Sequence, residues 1–171
     1  MNYFKILFQP NDKKKPFHKQ LFLDNVIVGE NGYSCGVRYS PKSFNDWLMN
    51  DNIYKVFLDS TVKQLIMSNQ RFLDLIEEQG RLNLTLVDCK FKNIDIDDVL
   101  DGEEFDSELL KSVIDSYEYE IMQVYLRTKN RHMVTLKANG VLGIDSDLSE
   151  DEVNDIKKLI DFLGFGPVML V

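Results

Sequence analysis

Along the first residues of the chain the apolar positions fall on every second residue. In NYFKILFQ, Phe4, Ile6 and Phe8 alternate with Tyr3, Lys5 and Leu7, the period of two expected of a β-strand. The polar run PNDKKKP, bounded by Pro10 and Pro16, reads as a connector. FHKQLFL, VIV and YSCGVRY read as three further short strands, and GENG between the last two carries the glycines of a hairpin turn.

The period then lengthens to that of a helix. In SPKSFNDWLMN, Ser40 suits an N-cap and Pro41 the first helical position, where a missing N–H costs nothing. NIYKVFLD fits either period. Residues 60–80 put Val62, Leu65, Ile66, Phe72, Leu73 and Ile76 on one face. With Thr61 and Gln64 as a capping box and Gly80 as a left-handed stop, the spacing predicts one long helix. LNLTLVDCKF returns to strand alternation.

DSELLKSVIDSY is helical in pattern, with Leu109, Leu110, Val113, Ile114 and Tyr117 as its apolar set. Phe105 and Leu110 flank a candidate Asp106 cap. Residues 118–144 read as a meander turning at TKNR and at Asn139–Gly140. The last helix opens at Ser149, with Glu152 completing a capping box and Leu148 and Val153 as a staple, and stops at Gly164. FGPVMLV then predicts a final strand or a plug into the core.

Strands cluster in runs with helices between the runs. The expected class is therefore α+β, a mostly antiparallel sheet with about four helices packed on one face. No internal repeat, low-complexity tract or long linker divides the chain, so residues 1–171 read as a single domain. It has a strand-rich, mildly basic part over 1–92 and an acidic part over 93–171.

Composition adds size and address. With 171 residues, 44% of them hydrophobic and 28% charged, the chain can bury a substantial core. No apolar run approaches the ~20 residues that span a bilayer, and the N-terminal residues lack the pattern of a signal peptide. Cys35 and Cys89 have no pairing or zinc-site spacing and read as reduced, buried side chains. A cytoplasmic address is the simplest expectation.

Charge changes the picture more. The net charge is −8, yet residues 1–92 hold 13 basic against 10 acidic side chains, and residues 93–171 hold 7 against 18. The run DIDDVLDGEEFDSE supplies eight carboxylates without a lysine or arginine: Asp95, Asp97, Asp98, Asp101, Glu103, Glu104, Asp106 and Glu108. Neither this run nor 145–155 has the glycine and bidentate glutamate of an EF-hand loop. The acids of 145–155 suit the N-terminus of a helix, whereas those of 95–108 have little such role.

Candidate chemistry is sparse. His18 and His132 bear no characteristic spacing to Cys35, no glycine-rich loop precedes a helix, and no carboxylate pair stands out. No catalytic residue and no cofactor is expected. Lys13, Lys14 and Lys15, and Arg127, Lys129 and Arg131, form two small basic sites, but an isoelectric point near 4.8 makes direct nucleic-acid binding a minor expectation.

The leading expectation is thus a non-catalytic protein of the inhibitor, immunity or anti-defence kind. Its eight carboxylates of 95–108 would imitate the charge of a nucleic acid and block a basic, nucleic-acid-handling protein. The alternatives are a small metal-dependent enzyme using acids of 95–108 or Asp145 and Asp147, and a subunit of a larger assembly.

Overall fold

The computed structural model describes residues 1–95, 98, 107–115 and 119–170. Strand β1 (Asn2–Phe8) runs through the interior of a sheet that contains eight strands among the described residues. The others are β2 (Val26–Val28), β3 (Ser34–Arg38), β4 (Lys63–Gln64), β5 (Thr85–Phe91), β6 (Ile121–Arg127), β7 (Met133–Lys137) and β8 (Val141–Ile144). They lie in the order β2-β3-β1-β8-β7-β6-β5, with β4 beside the end of β1, and every pairing is antiparallel. Among the described residues six helices accompany them: α1 (Phe17–Gln20), α2 (Pro41–Leu48), α3 (Asp51–Asp59), α4 (Asn69–Glu78), α5 (Ser107–Asp115) and α6 (Glu150–Phe165). The fold is α+β, as the grouping of strands predicts.

The helices occupy both faces of the sheet rather than one. Phe4 and Ile6 of β1 belong to the larger core with Phe72, Leu110, Ile156 and Leu159, drawn from α4, α5 and α6. Leu7, pointing the opposite way, joins a smaller core with Phe17, Cys35 and Phe44, against which Phe57 of α3 packs. Phe4, Lys5, Ile6 and Leu7 are therefore all buried. A strand covered on both faces loses its apolar–polar alternation, which is why Lys5 is buried in a strand read from sequence as one-sided.

α6 is the best-specified helix. The Ser149 side chain accepts from the Glu152 N–H at 3.3 Å, and Glu152 Oε2 accepts from the Ser149 N–H at 2.8 Å, a complete capping box. Farther along, the buried Asp161 carboxylate accepts from Ser34 Oγ at 2.6 Å and from the Asn31 N–H at 3.1 Å. This ties α6 to the β2–β3 turn. Gly29 allows the approach, since a Cβ there would lie 2.0 Å from Asp161 Oδ1.

Three segments differ from the sequence reading. Residues 17–20 form a helical turn instead of a strand. The fully buried Gln9 explains it, for its Oε1 accepts from the Phe17 N–H at 2.9 Å and its Nε2 donates to the Asn11 carbonyl at 2.8 Å. The expected long helix over 60–80 is broken. Thr61 is left-handed (φ 54°), β4 pairs with β1, and the Leu65 N–H donates to the Ile6 carbonyl at 2.9 Å.

Leu65 and Met67 are buried while Ile66 between them is 71% exposed, so this stretch follows the period of a strand. Ser68, not Thr61, caps α4 through the Arg71 N–H at 3.3 Å, and the left-handed residue after that helix is Asn83 rather than Gly80.

The tail is the third difference. α6 continues through Gly164 to Phe165, and Gly166 (φ 84°) ends it. Residues Pro167–Leu170 make a 3₁₀ turn, not a strand. Leu170 packs against the larger core, but Val168 is 69% exposed, so the tail is not a full plug. The Asp106 cap, its Phe105 partner and Tyr117 lie outside the described residues.

The capping box yields a test. Ser149→Ala removes one acceptor from the start of a 16-residue helix, and should lower unfolding free energy by about 0.5–2 kcal/mol in urea titrations. Ser40→Ala at the start of α2, where the side chain makes no capping bond, should cost less.

Candidate functional site

The acidic run begins where β5 ends. The chain turns at Lys92–Asn93, and Ile94 folds back to bridge Phe91. This places Asp95 and Asp98 on a cleft of about 650 Å³ beside the strand, together with Asp88 and Tyr125. Lys90 lines the same cleft, so among the described residues it presents three carboxylates against one ammonium group. Asp95 and Asp98 are exposed and form no ion pair among the described residues.

Glu108 stands apart from that lining, exposed on the first turn of α5, with Lys111 Nζ at 3.8 Å. Asp97, Asp101, Glu103, Glu104 and Asp106 lie outside the described residues. Asp88 is the addition that sequence reasoning missed. Strict alternation in LTLVDCKF would put Asp88 on the buried side with Leu86; a bulge between these two residues shifts the phase, so that Leu86 and Cys89 point into the core and Asp88 and Lys90 are exposed.

A second surface is apolar. α2 and α3 form a groove of about 670 Å³ lined by Leu48, Met49, Tyr54, Phe57, Leu58 and Val62. Met49 is 81% exposed, and Tyr54 and Leu58 are 60% exposed. A helix packed on one side needs one apolar stripe, yet α3 carries Ile53, Tyr54, Val56, Phe57 and Leu58. The arc is wider than its buried face can use. That excess was legible in the sequence once the segment was known to be helical.

The third feature is the β6–β7 hairpin tip, which holds Arg127, Lys129 and Arg131. It is fastened to the start of α6 through Glu152. This nearly fully buried carboxylate accepts from the Thr128 hydroxyl and meets His132 Nδ1 at 2.8 Å. Burial pushes the Glu152 carboxyl up, but the hydrogen bonds from Thr128, His132 and the Ser149 N–H outweigh it and hold the group well below the usual range. The hydrogen bond to Glu152 raises His132 in turn, against a smaller opposing effect of burial. The sequence reading missed this pair, whose members lie 20 residues apart with no motif to link them.

The chain was compared with protein-family models, curated proteins and solved structures. It matches none of them. A functional reading therefore rests on the chain's own chemistry.

Burial pushes the Cys35 and Cys89 thiols up to about 12, so neither supplies a thiolate nucleophile near neutral pH. Among the described residues no three His, Cys, Asp or Glu side chains are grouped to hold a metal ion. Asp145 accepts from the Met133 N–H at 2.7 Å and Asp147 is left-handed (φ 69°) in the turn before α6. No helix among the described residues is long and apolar enough to cross a membrane.

The Glu152–His132 pair makes stability depend on pH at both ends. Glu152 has a folded value below its ordinary one, so its contribution is present above about pH 4.5 and is lost as pH falls through the folded value. His132 has a folded value above 6.5, so its contribution is present below pH 6.5 and is lost as pH rises through the raised value. Melting temperatures should decline as pH rises from about 6.5 through His132's folded value. Glu152→Gln should lower the melting temperature and flatten that decline; an unchanged alkaline slope counts against the pair.

Proposed function

We propose that this chain is a non-catalytic, protein-binding inhibitor of the immunity or anti-defence kind, which docks an acidic surface on a basic, nucleic-acid-handling protein. The observation that carries the reading is the β5 cleft, where Asp88, Asp95 and Asp98 face solvent at the root of the acidic run. Asp88 accepts from the adjacent Cys89 N–H at 2.8 Å, and Asp95 and Asp98 form no ion pair among the described residues, so these exposed carboxylates can meet cations on another surface. Duplex DNA carries one charge per ~1.7 Å of axis, so a close-set group of acids competes for a site built to hold phosphates. Charge of this kind acts chiefly on the rate and selectivity of encounter.

Docking also calls for apolar contact, and the α2–α3 groove offers it. Contiguous exposed apolar surface on a folded chain commonly marks a protein contact. The groove supports the second reading as well, a subunit whose α2–α3 face is covered in a larger assembly.

Affinity capture from a host extract, at low and high salt, separates the readings. A combined Asp88→Asn, Asp95→Asn and Asp98→Asn protein should keep its melting temperature, since exposed substitutions usually change stability by less than about 0.5 kcal/mol. It should lose the partner that the unaltered chain holds at low salt and releases at high salt. Undiminished capture by this variant overturns the acidic-surface reading. Capture that survives there but fails with Met49→Glu and Leu58→Glu assigns the contact to the groove and supports the assembly reading.

A further inference from the structure

The two ends of the sheet are covered differently. At the β2-β3-β1 end, helices flank both faces. Across β8, β7, β6 and β5 the inward positions Leu142, Leu136, Val124 and Leu86 enter the core with α4, α5 and α6. No described helix contributes to a core on the opposite face there. Strand register sets what that open face displays. Lys90, Gln123 and Lys137 form one row across β5, β6 and β7, and Tyr125, Thr135, Gly143 and Tyr3 form the neighbouring row across β6, β7, β8 and β1.

The lysine row opens into a cleft of about 450 Å³. Among the described residues its polar side chains are Lys90, Lys92 and Lys137, together with Gln123, Asn93 and Asn139, and no carboxylate lines it. That is a set of donors suited to an oxyanion. Strands lie about 4.8 Å apart, so the Lys90 and Lys137 backbones, two strands apart, are separated by roughly 10 Å, near enough for their long side chains to converge.

Lys90 and Lys137 form no ion pair among the described residues. Lys92 has Glu120 at 3.6 Å, with both side chains more than half exposed. Such a pair is weak and exchangeable.

A flat aromatic surface adjoins the cations. Tyr3 is 40% exposed and Lys137 Nζ stands 5.5 Å from its ring centroid. Gly143 lets three side chains close in on this face, because a Cβ there would lie 2.4 Å from Thr135 Oγ1, 2.7 Å from Met1 Sδ and 3.0 Å from the Tyr3 ring. An ammonium group over a partly exposed aromatic ring, with further lysines near it, matches a ligand that joins a phosphate to a planar base. Sheet faces that bind single strands combine the same two elements.

The net charge of −8 does not cancel a local site. At physiological salt charges are screened beyond about 8 Å, although the acids flanking Lys90 disfavour a long duplex. We propose that this open face binds a nucleotide unit, with its phosphate at Lys90, Lys92 and Lys137 and its base against Tyr3, as a free nucleotide or within a single strand. The inference does not rest on the carboxylates of the acidic-surface docking described above, although Lys90 lines both clefts.

Fluorescence anisotropy of a short labelled oligothymidylate, with AMP, inorganic phosphate and polyglutamate as competitors, tests it. The oligomer should bind at low salt, and its affinity should fall with salt by about 0.7 logarithmic units per decade for each phosphate neutralised. A Lys90→Glu, Lys137→Glu protein should bind at least tenfold more weakly, whereas Lys13→Glu, Lys14→Glu and Lys15→Glu should leave affinity unchanged. Tyr3→Leu should weaken the oligomer and AMP but not phosphate. AMP competing as well as the oligomer, per nucleotide, identifies a free nucleotide as the ligand; competition by the strand alone identifies single-stranded nucleic acid.

Absence of binding at low salt overturns the proposal. So does binding insensitive to the Lys90 and Lys137 changes in protein that melts normally. Polyglutamate competing as well as the oligomer, with no effect of Tyr3→Leu, also overturns it and assigns the cleft to an acidic polypeptide.

Discussion

β1 must be satisfied on two faces and two edges, and the rest of the fold follows from that requirement. One edge pairs with β3; the other is shared, with β8 along Asn2–Lys5 and β4 along Leu7–Phe8. The shared edge explains why residues 60–68 abandon a helical pattern. Without Lys63–Leu65 the carbonyl of Ile6 and its neighbours would be buried without partners, a cost of about 1–3 kcal/mol for each group. Burying Ile6 and Leu7 on opposite faces contributes about 1.5–3 kcal/mol apiece. Lys5 is the exception in the strand: its ammonium donates to the Asn139 carbonyl, and burial lowers its pKa.

The same arrangement determines where surface chemistry can lie. Helices on both faces around β1 make that end of the sheet a two-sided core. The far end needs cover on one face only, so the opposite face keeps lysine and tyrosine side chains in ordered rows. β5 joins these regions. Asp88 to Phe91 line the acidic cleft, and Lys90 and Phe91 also line the lysine-rich one. Lys90 stands at the boundary where the two adjoining surfaces meet.

Much of the fold was legible because its signals are local. Ser149 and Glu152, Ser40 and Pro41, and the turn at Asn139–Gly140 each specify a short stretch without help from the rest of the chain. The failures occurred where a distant partner decided. Gln9 turns residues 17–20 into a helix, and β1 draws residues 63–65 into the sheet. The candidate site was less legible for the same reason. Asp95 and Asp98 could be read from charge density, but Asp88, the Lys90–Lys137 row and the His132–Glu152 bond exist only through strand register or tertiary packing. Sequence spacing carries no trace of them.

The pairing of Asn2–Lys5 with Val141–Ile144 also has a consequence in time. Synthesis proceeds at roughly 5–20 residues per second, so the strand at the heart of the sheet waits on the order of 7–30 seconds for β8 to be made. During that interval YFKILF is an apolar segment with an open edge, the kind that seeks any available strand. Long-range pairings of this sort also slow folding in the intact chain. The nascent protein must therefore shelter this buried strand, by early pairing with β3 or by a chaperone, until Val141–Ile144 have been made.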